Sequence, residues 1–104
     1  MSRIVISAQA DADIDGHVAY LEERNPDAAY RFLVAVHAEL AQLAEHRELG
    51  RRYPFENPKL KDARAHGIRG FRKYLIFYIP LSGGGIEAIR ILHGARNIDA
   101  IFAE

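Results

Sequence analysis

The sequence contains no cysteine, which excludes a disulfide framework, a thiolate metal site and a cysteine nucleophile, and which suits a reducing cytosol. It has no excess charge of either sign. The 14 Lys and Arg residues balance 14 Asp and Glu, so neither a uniformly basic nucleic-acid clamp nor an acidic solvating tail is available. No apolar run approaches the roughly 18 residues that span a bilayer. The N-terminal run Ile4-Val5-Ile6 is too short for a signal peptide. These absences lead to the expectation of a cytoplasmic protein with no membrane attachment. Repeats and low-complexity stretches are also lacking.

Metal and cofactor motifs are missing as well. The five histidines, His17, His37, His46, His66 and His93, show no HxxxH or HExxH spacing, so no metal site is expected. No GxxxxGK[ST] loop is present. Gly83-Gly84-Gly85 is not followed by a helical pattern and reads as a turn rather than a phosphate cradle. No elbow motif supports a serine triad. No cofactor is expected. With 49% hydrophobic and 27% charged residues over 104 positions, the chain has ordinary globular composition and enough length for one modest core, so residues 1–104 are expected to form a single domain.

What is present is a gradient. Residues 1–50 hold 4 basic and 9 acidic residues, net −5. Residues 51–74 hold 8 basic residues against Glu56 and Asp62, net +6. Residues 75–104 hold 2 basic and 3 acidic residues, net −1. The middle segment is a candidate surface for an anionic partner. Its plainer reading is a solvated loop, because exposed charge is what loops carry.

Ile4 to Ile6 is a β-branched run that suits a strand. Ser7 can cap a following helix, and Asp11, Asp13 and Asp15 suit the positive end of its dipole. Ala10, Ile14, Val18 and Leu21 then mark one helical face. Gly16 costs this helix about 1 kcal/mol relative to alanine, which points to a close packing contact there. Asn25-Pro26-Asp27 restarts a helix, with Asn as cap and Pro at the first helical position. Ala29, Phe32, Leu33, Val36, Leu40 and Leu43 carry its stripe to about Glu45. So short a link makes the two helices an antiparallel hairpin. Residues 51–62, with Pro54, Asn57 and Pro58 and no period, read as loop.

The period then changes to two. Residues 65–69 form a possible strand, and Gly70 marks a break. Residues 71–79 are the most β-like segment. Leu75, Phe77 and Ile79 share one face, while Tyr74, Ile76 and Tyr78 share the other, so both faces are apolar and the strand is central. Residues 86–92 return, with Ile89, Ile91 and His93 predicted on one face and Ala88, Arg90 and Leu92 on the other. Asn97 caps a last short helix carrying Ile98, Ile101 and Phe102. The expected fold is α+β, in the order β-α-α-β-β-β plus a short C-terminal helix, with the hairpin covering one face of a small, mainly antiparallel sheet.

This order resembles the ParE toxins of the RelE/ParE superfamily. The resemblance is carried by Gly67-Ile68-Arg69-Gly70-Phe71-Arg72-Lys73-Tyr74-Leu75-Ile76-Phe77-Tyr78 and by Ile89-Arg90-Ile91-Leu92-His93-Gly94-Ala95-Arg96-Asn97. It covers nearly the whole chain. ParE proteins commonly carry Asp where this chain has Asn97, a departure that keeps the helix cap. The resemblance implies the toxin of a type II toxin–antitoxin module, of the kind associated with plasmid stabilisation and DNA gyrase inhibition. It also implies a ParD-like antitoxin as partner in a hetero-oligomer. RelE-like members instead cut messenger RNA on the ribosome, and one fold serves both activities. A third alternative is a degenerate toxin that only binds its antitoxin and helps repress their operon.

RNA cleavage through the 2′-hydroxyl needs a base, an acid for the leaving oxygen, and cations for the phosphorane charge. Were the chain a ribonuclease, Arg69, Arg90 and His93 would be the catalytic candidates, with Arg72 and Lys73 as further cations and Glu56 and His66 as possible bases. Each has a structural alternative: His93 packing at the sheet end, Arg90 pairing with an acidic helix residue, the other cations solvating the sheet. The terminal Tyr of RelE-like members is missing, since no tyrosine follows Tyr78. The expectation is therefore no catalytic residues. Arg69, Arg72, Lys73, Arg90, Arg96, Ile98 and Phe102 are instead assigned to partner binding, with no direct DNA binding by the toxin alone. Ile98, Ile101 and Phe102 are expected to pack back on the sheet. The antitoxin is expected to cover apolar surface by laying an amphipathic helix into a groove, at the helix faces of residues 8–45 and the basic segment 51–74.

Overall fold

A computed structural model describes residues 2–94 and 96–103. Ile4–Ile6 form β1. Ser7 accepts the Ala10 N–H at 3.0 Å and starts α1, Ala8–Arg24. The Asn25 side chain accepts the N–H groups of Asp27 and Ala28 at 3.1 and 3.2 Å and starts α2, Pro26–Glu45, as the Asn-Pro-Asp signal predicts. Arg51–Arg52 form β2, Arg64–Ile68 β3, Phe71–Pro80 β4, Ile86–His93 β5, and Ile98–Ile101 α3. The fold is α+β, with a five-stranded sheet in the order β1-β5-β4-β3-β2. β1 runs parallel to β5, and the other neighbours are antiparallel. The central strand is β4, as its two apolar faces require.

α1 and α2 cover one face. Ala10, Ile14, Phe32, Val36, Leu40 and Leu43 meet Ile68, Ile76, Tyr78, Ile86, Ala88 and Ile91. Complete burial of each large aliphatic or Phe side chain here contributes about 1.5–3 kcal/mol. Tyr78 is wholly buried yet satisfied: its hydroxyl donates to the Arg47 carbonyl at 2.7 Å and accepts the Gly50 N–H at 2.9 Å. Gly50 has no room for a side chain, since a Cβ would stand 2.6 Å from that hydroxyl.

Several expectations are corrected. The 51–62 segment is not all loop: β2 pairs Arg51 with Ala65 and Arg52 with Arg64, and Pro58–Leu60 form a turn of 3-10 helix capped by Asn57. Two residues are too few to show a period. Ile89 does not share a face with Ile91. Phe77 pairs with Arg90 and Tyr78 with Ala88, so Ile89 is an extra residue that reverses the alternation. Ile91 joins the helix-side core, and Ile89 packs on the opposite side. Leu33 is 36% exposed, at the margin of the α2 stripe. Gly16 is exposed, with nothing within 4 Å of a Cβ built on it, so no close packing explains it.

The second sheet face is covered by the chain itself. Phe77 and Leu92, both fully buried, lie beneath Tyr53, Phe55, Ile98, Ile101 and Phe102. α3 packs on this face as expected, and the 51–62 segment covers the rest of the cluster, so this part of the apolar sheet surface is closed by the chain's own residues. Among the described residues, no helix is long and apolar enough to cross a membrane.

Candidate functional site

β1 pairs with β5 only along Ile86, Glu87 and Ala88. Beyond it, side chains of α1 and of its cap Ser7 take the place of a strand. Ser7 donates through Oγ to the Ile89 carbonyl at 3.0 Å. Asp13 Oδ2 accepts the Ile91 N–H at 2.9 Å and Arg90 Nε at 2.8 Å, while Oδ1 accepts Arg90 Nη2 at 2.9 Å. One turn later, His17 Nε2 lies 2.7 Å from the Ile91 carbonyl, so the tautomer protonated there donates to it. The Arg90 and Asp13 side chains are 20% and 12% exposed. The hydrogen bonds that Arg90 donates to Asp13 raise its pKa, with burial opposing. Arg90 thus pairs with an acidic helix residue.

His93 lies opposite Tyr74 in the sheet, and the two rings meet edge-on at 5.1 Å. His17 approaches the same Tyr74 ring at 4.9 Å. Burial, then the neighbouring Tyr20, raises the Tyr74 pKa. Aromatic packing of this kind holds the sheet end together.

Arg69, Arg72 and Lys73 are exposed around the β3–β4 turn. That turn is tied to α2 by Glu39, whose Oε1 accepts the Arg69 N–H at 3.0 Å and whose Oε2 lies 3.4 Å from His66 Nε2. A groove of about 550 Å³ runs between them, bordered by Ala35, Ala38 and Gln42 of α2 and by Leu49, His66, Arg69 and Arg72. Sequence reasoning singled out the two arginines. It missed Glu39, Gln42 and Leu49, because their proximity depends on how α2 crosses the sheet.

At the other end, the Asn97 side chain accepts the Ala100 N–H at 3.2 Å and caps α3. Ile98 is 8% exposed. Phe102 lies 4.5 Å from the Phe55 ring and 5.2 Å from Phe77. These residues pack on the sheet, as expected, while Arg96 is exposed. Glu56 is exposed beside Lys59 and Asp99 at a groove of about 760 Å³ along the 54–59 segment. The ribonuclease candidates thus have three settings: Arg69 on the α2 groove, Arg90 bound to Asp13, and His93 edge-on to Tyr74. Among the described residues, no three His, Asp or Glu side chains are grouped to hold a metal ion.

Residues 4–98 match the family described as ParE toxin of type II toxin-antitoxin system, parDE. Among solved structures, a chain of the "Chromosomal ParDE TA system from P. aeruginosa" superposes with a TM-score of 0.70 at 18% identity, over 89% of this chain and 96% of that one. At that identity the likeness shows the fold. No curated protein matches the sequence.

Proposed function

The chain belongs to the ParE toxin family of type II toxin–antitoxin systems, and from that premise we propose that it inhibits DNA gyrase by protein–protein contact, without catalysis, and is neutralised in the cytoplasm by a ParD-like antitoxin. The observation that carries the non-catalytic part is the filling of the second sheet face. RNA cleavage on such a sheet calls for converging cations, an acid and a base. Here Phe77 and Leu92 are buried there under Tyr53, Phe55 and Phe102, and Arg90 is bound to Asp13. The basic 51–74 segment supports an acidic antitoxin, which long-range attraction would bring in faster at low salt than at high salt.

The test uses antitoxin-free protein in a gyrase supercoiling assay beside ribosomes programmed with messenger RNA. The expected result is lost supercoiling with intact message. Messenger cleavage in the ribosomal A site that disappears in His93→Ala would overturn the proposal in favour of a ribosome-dependent endonuclease. Neither effect, with antitoxin binding retained, would leave a toxin that only binds its antitoxin and so would also overturn it.

A further inference from the structure

We propose that the groove between α2 and the β3–β4 turn receives an acidic segment of a partner protein, its carboxylates on Arg69 and Arg72 and an apolar side chain against Ala38 and Leu49. This rests on the reading of the chain as one half of a protein–protein pair. Among the described residues Glu39 is the only acid lining the groove, and it is already engaged by the Arg69 N–H and by His66. It anchors the backbone of the turn without pairing the guanidinium beside it. Among the described residues, neither the Arg69 nor the Arg72 side chain makes an ion pair.

The stem of Arg72 crosses over Gly67, its Cδ 3.6 Å from where a Cβ on that glycine would stand. Arg72 therefore borders both this groove and an adjoining recess of about 460 Å³ that contains Arg51 and Arg52. Leu49, 45% exposed, is shared by the two and supplies apolar surface. Planar guanidinium groups above a wall of small and aliphatic side chains match carboxylates spaced by an apolar residue.

Single-stranded nucleic acid fits less well, because it needs flat rings on which bases stack. Among the described residues, no Phe, Tyr or Trp lines the groove. Tyr53, in the adjoining recess, already packs on Phe55 and Phe77 at 4.5 and 5.4 Å.

The experiment titrates the full chain with a fluorescein-labelled peptide of alternating Glu and Leu, with its Lys-Leu counterpart, and with oligothymidylate. We expect the Glu-Leu peptide to bind, and to bind less tightly as salt rises. Arg69→Gln with Arg72→Gln should weaken binding roughly tenfold or more. Ala38→Trp, which keeps every charge but fills the groove, should do the same. Arg3→Gln with Arg24→Gln removes equal charge elsewhere and should leave binding unchanged. Equal losses in the two double variants, tighter binding of the Lys-Leu peptide or the oligonucleotide, or no binding of the Glu-Leu peptide would overturn the proposal. Gyrase is absent from this assay, so its outcome is independent of the supercoiling result.

Discussion

Asp13 of α1 and Arg90 of β5 meet in a two-point ion pair at 2.8 and 2.9 Å, and the same carboxylate accepts the Ile91 N–H. With His17 on the Ile91 carbonyl, one face of α1 satisfies the strand edge that β1 is too short to reach. An unpaired edge would otherwise offer backbone groups to other chains. The Arg90 guanidinium is thus engaged within the fold, whereas the Arg69 and Arg72 side chains, exposed at the β3–β4 turn, make no ion pair among the described residues.

Asp13→Ala should cost more than Arg90→Met. The first leaves both a half-buried guanidinium and a backbone N–H without their acceptor, a loss of about 2–3 kcal/mol. The second leaves the carboxylate still bonded to the Ile91 N–H and should cost about 1 kcal/mol. Urea unfolding of the two variants checks the order, and equal losses would contradict it.

Alkaline conditions should destabilise the fold through Tyr78. Burial raises its phenol pKa above the ordinary value, with the Gly50 hydrogen bond pulling the other way. The folded chain then holds the proton where the unfolded chain releases it. The stabilisation is complete below the ordinary phenol range and is lost as pH rises through the raised value. Tyr78→Phe should cost about 1–2 kcal/mol near neutrality, by leaving the Arg47 carbonyl and Gly50 N–H unpaired. It should also flatten the alkaline decline. Some decline should persist, because Tyr74 is likewise raised by burial. Denaturation midpoints from neutral to strongly alkaline pH measure both effects.

Two glycines should respond oppositely to alanine. Gly16 lies inside α1 with open space around it, so Gly16→Ala should stabilise by about 0.5–1 kcal/mol. Gly85 has φ 84° and lies where a Cβ would run into the Arg3 carbonyl, which accepts the Ile86 N–H. Gly85→Ala should cost about 3 kcal/mol or more, combining the left-handed backbone penalty with a displaced β1–β5 pairing. Thermal melts should move in opposite directions, by roughly 4–8 °C per kcal/mol.

Phe102→Ala should destabilise by about 2 kcal/mol, since the ring is partly buried on Phe55 and Phe77. Removing residues 97–104 should uncover Phe77 and Leu92 and raise binding of a hydrophobic dye. A truncated chain that melts like the full one and binds no more dye would show that α3 does not hold this core.

By itself the sequence determined the helical hairpin, the central strand and the family likeness. Ser7, Asn25 and Asn97 cap helices through groups two or three residues away, and the apolar stripes repeat within a turn, so their physics is local. Tertiary structure alone decided the face of Ile89, because a bulge exists only relative to the partner strand that it slips against. It also decided the Asp13–Arg90 pair, whose members are 77 residues apart, and the meeting of Glu39 with the Arg69 N–H, 30 residues apart. No local period encodes such contacts. They form when helices pack across a sheet, and that packing separates a guanidinium spent on the fold from one left facing solvent.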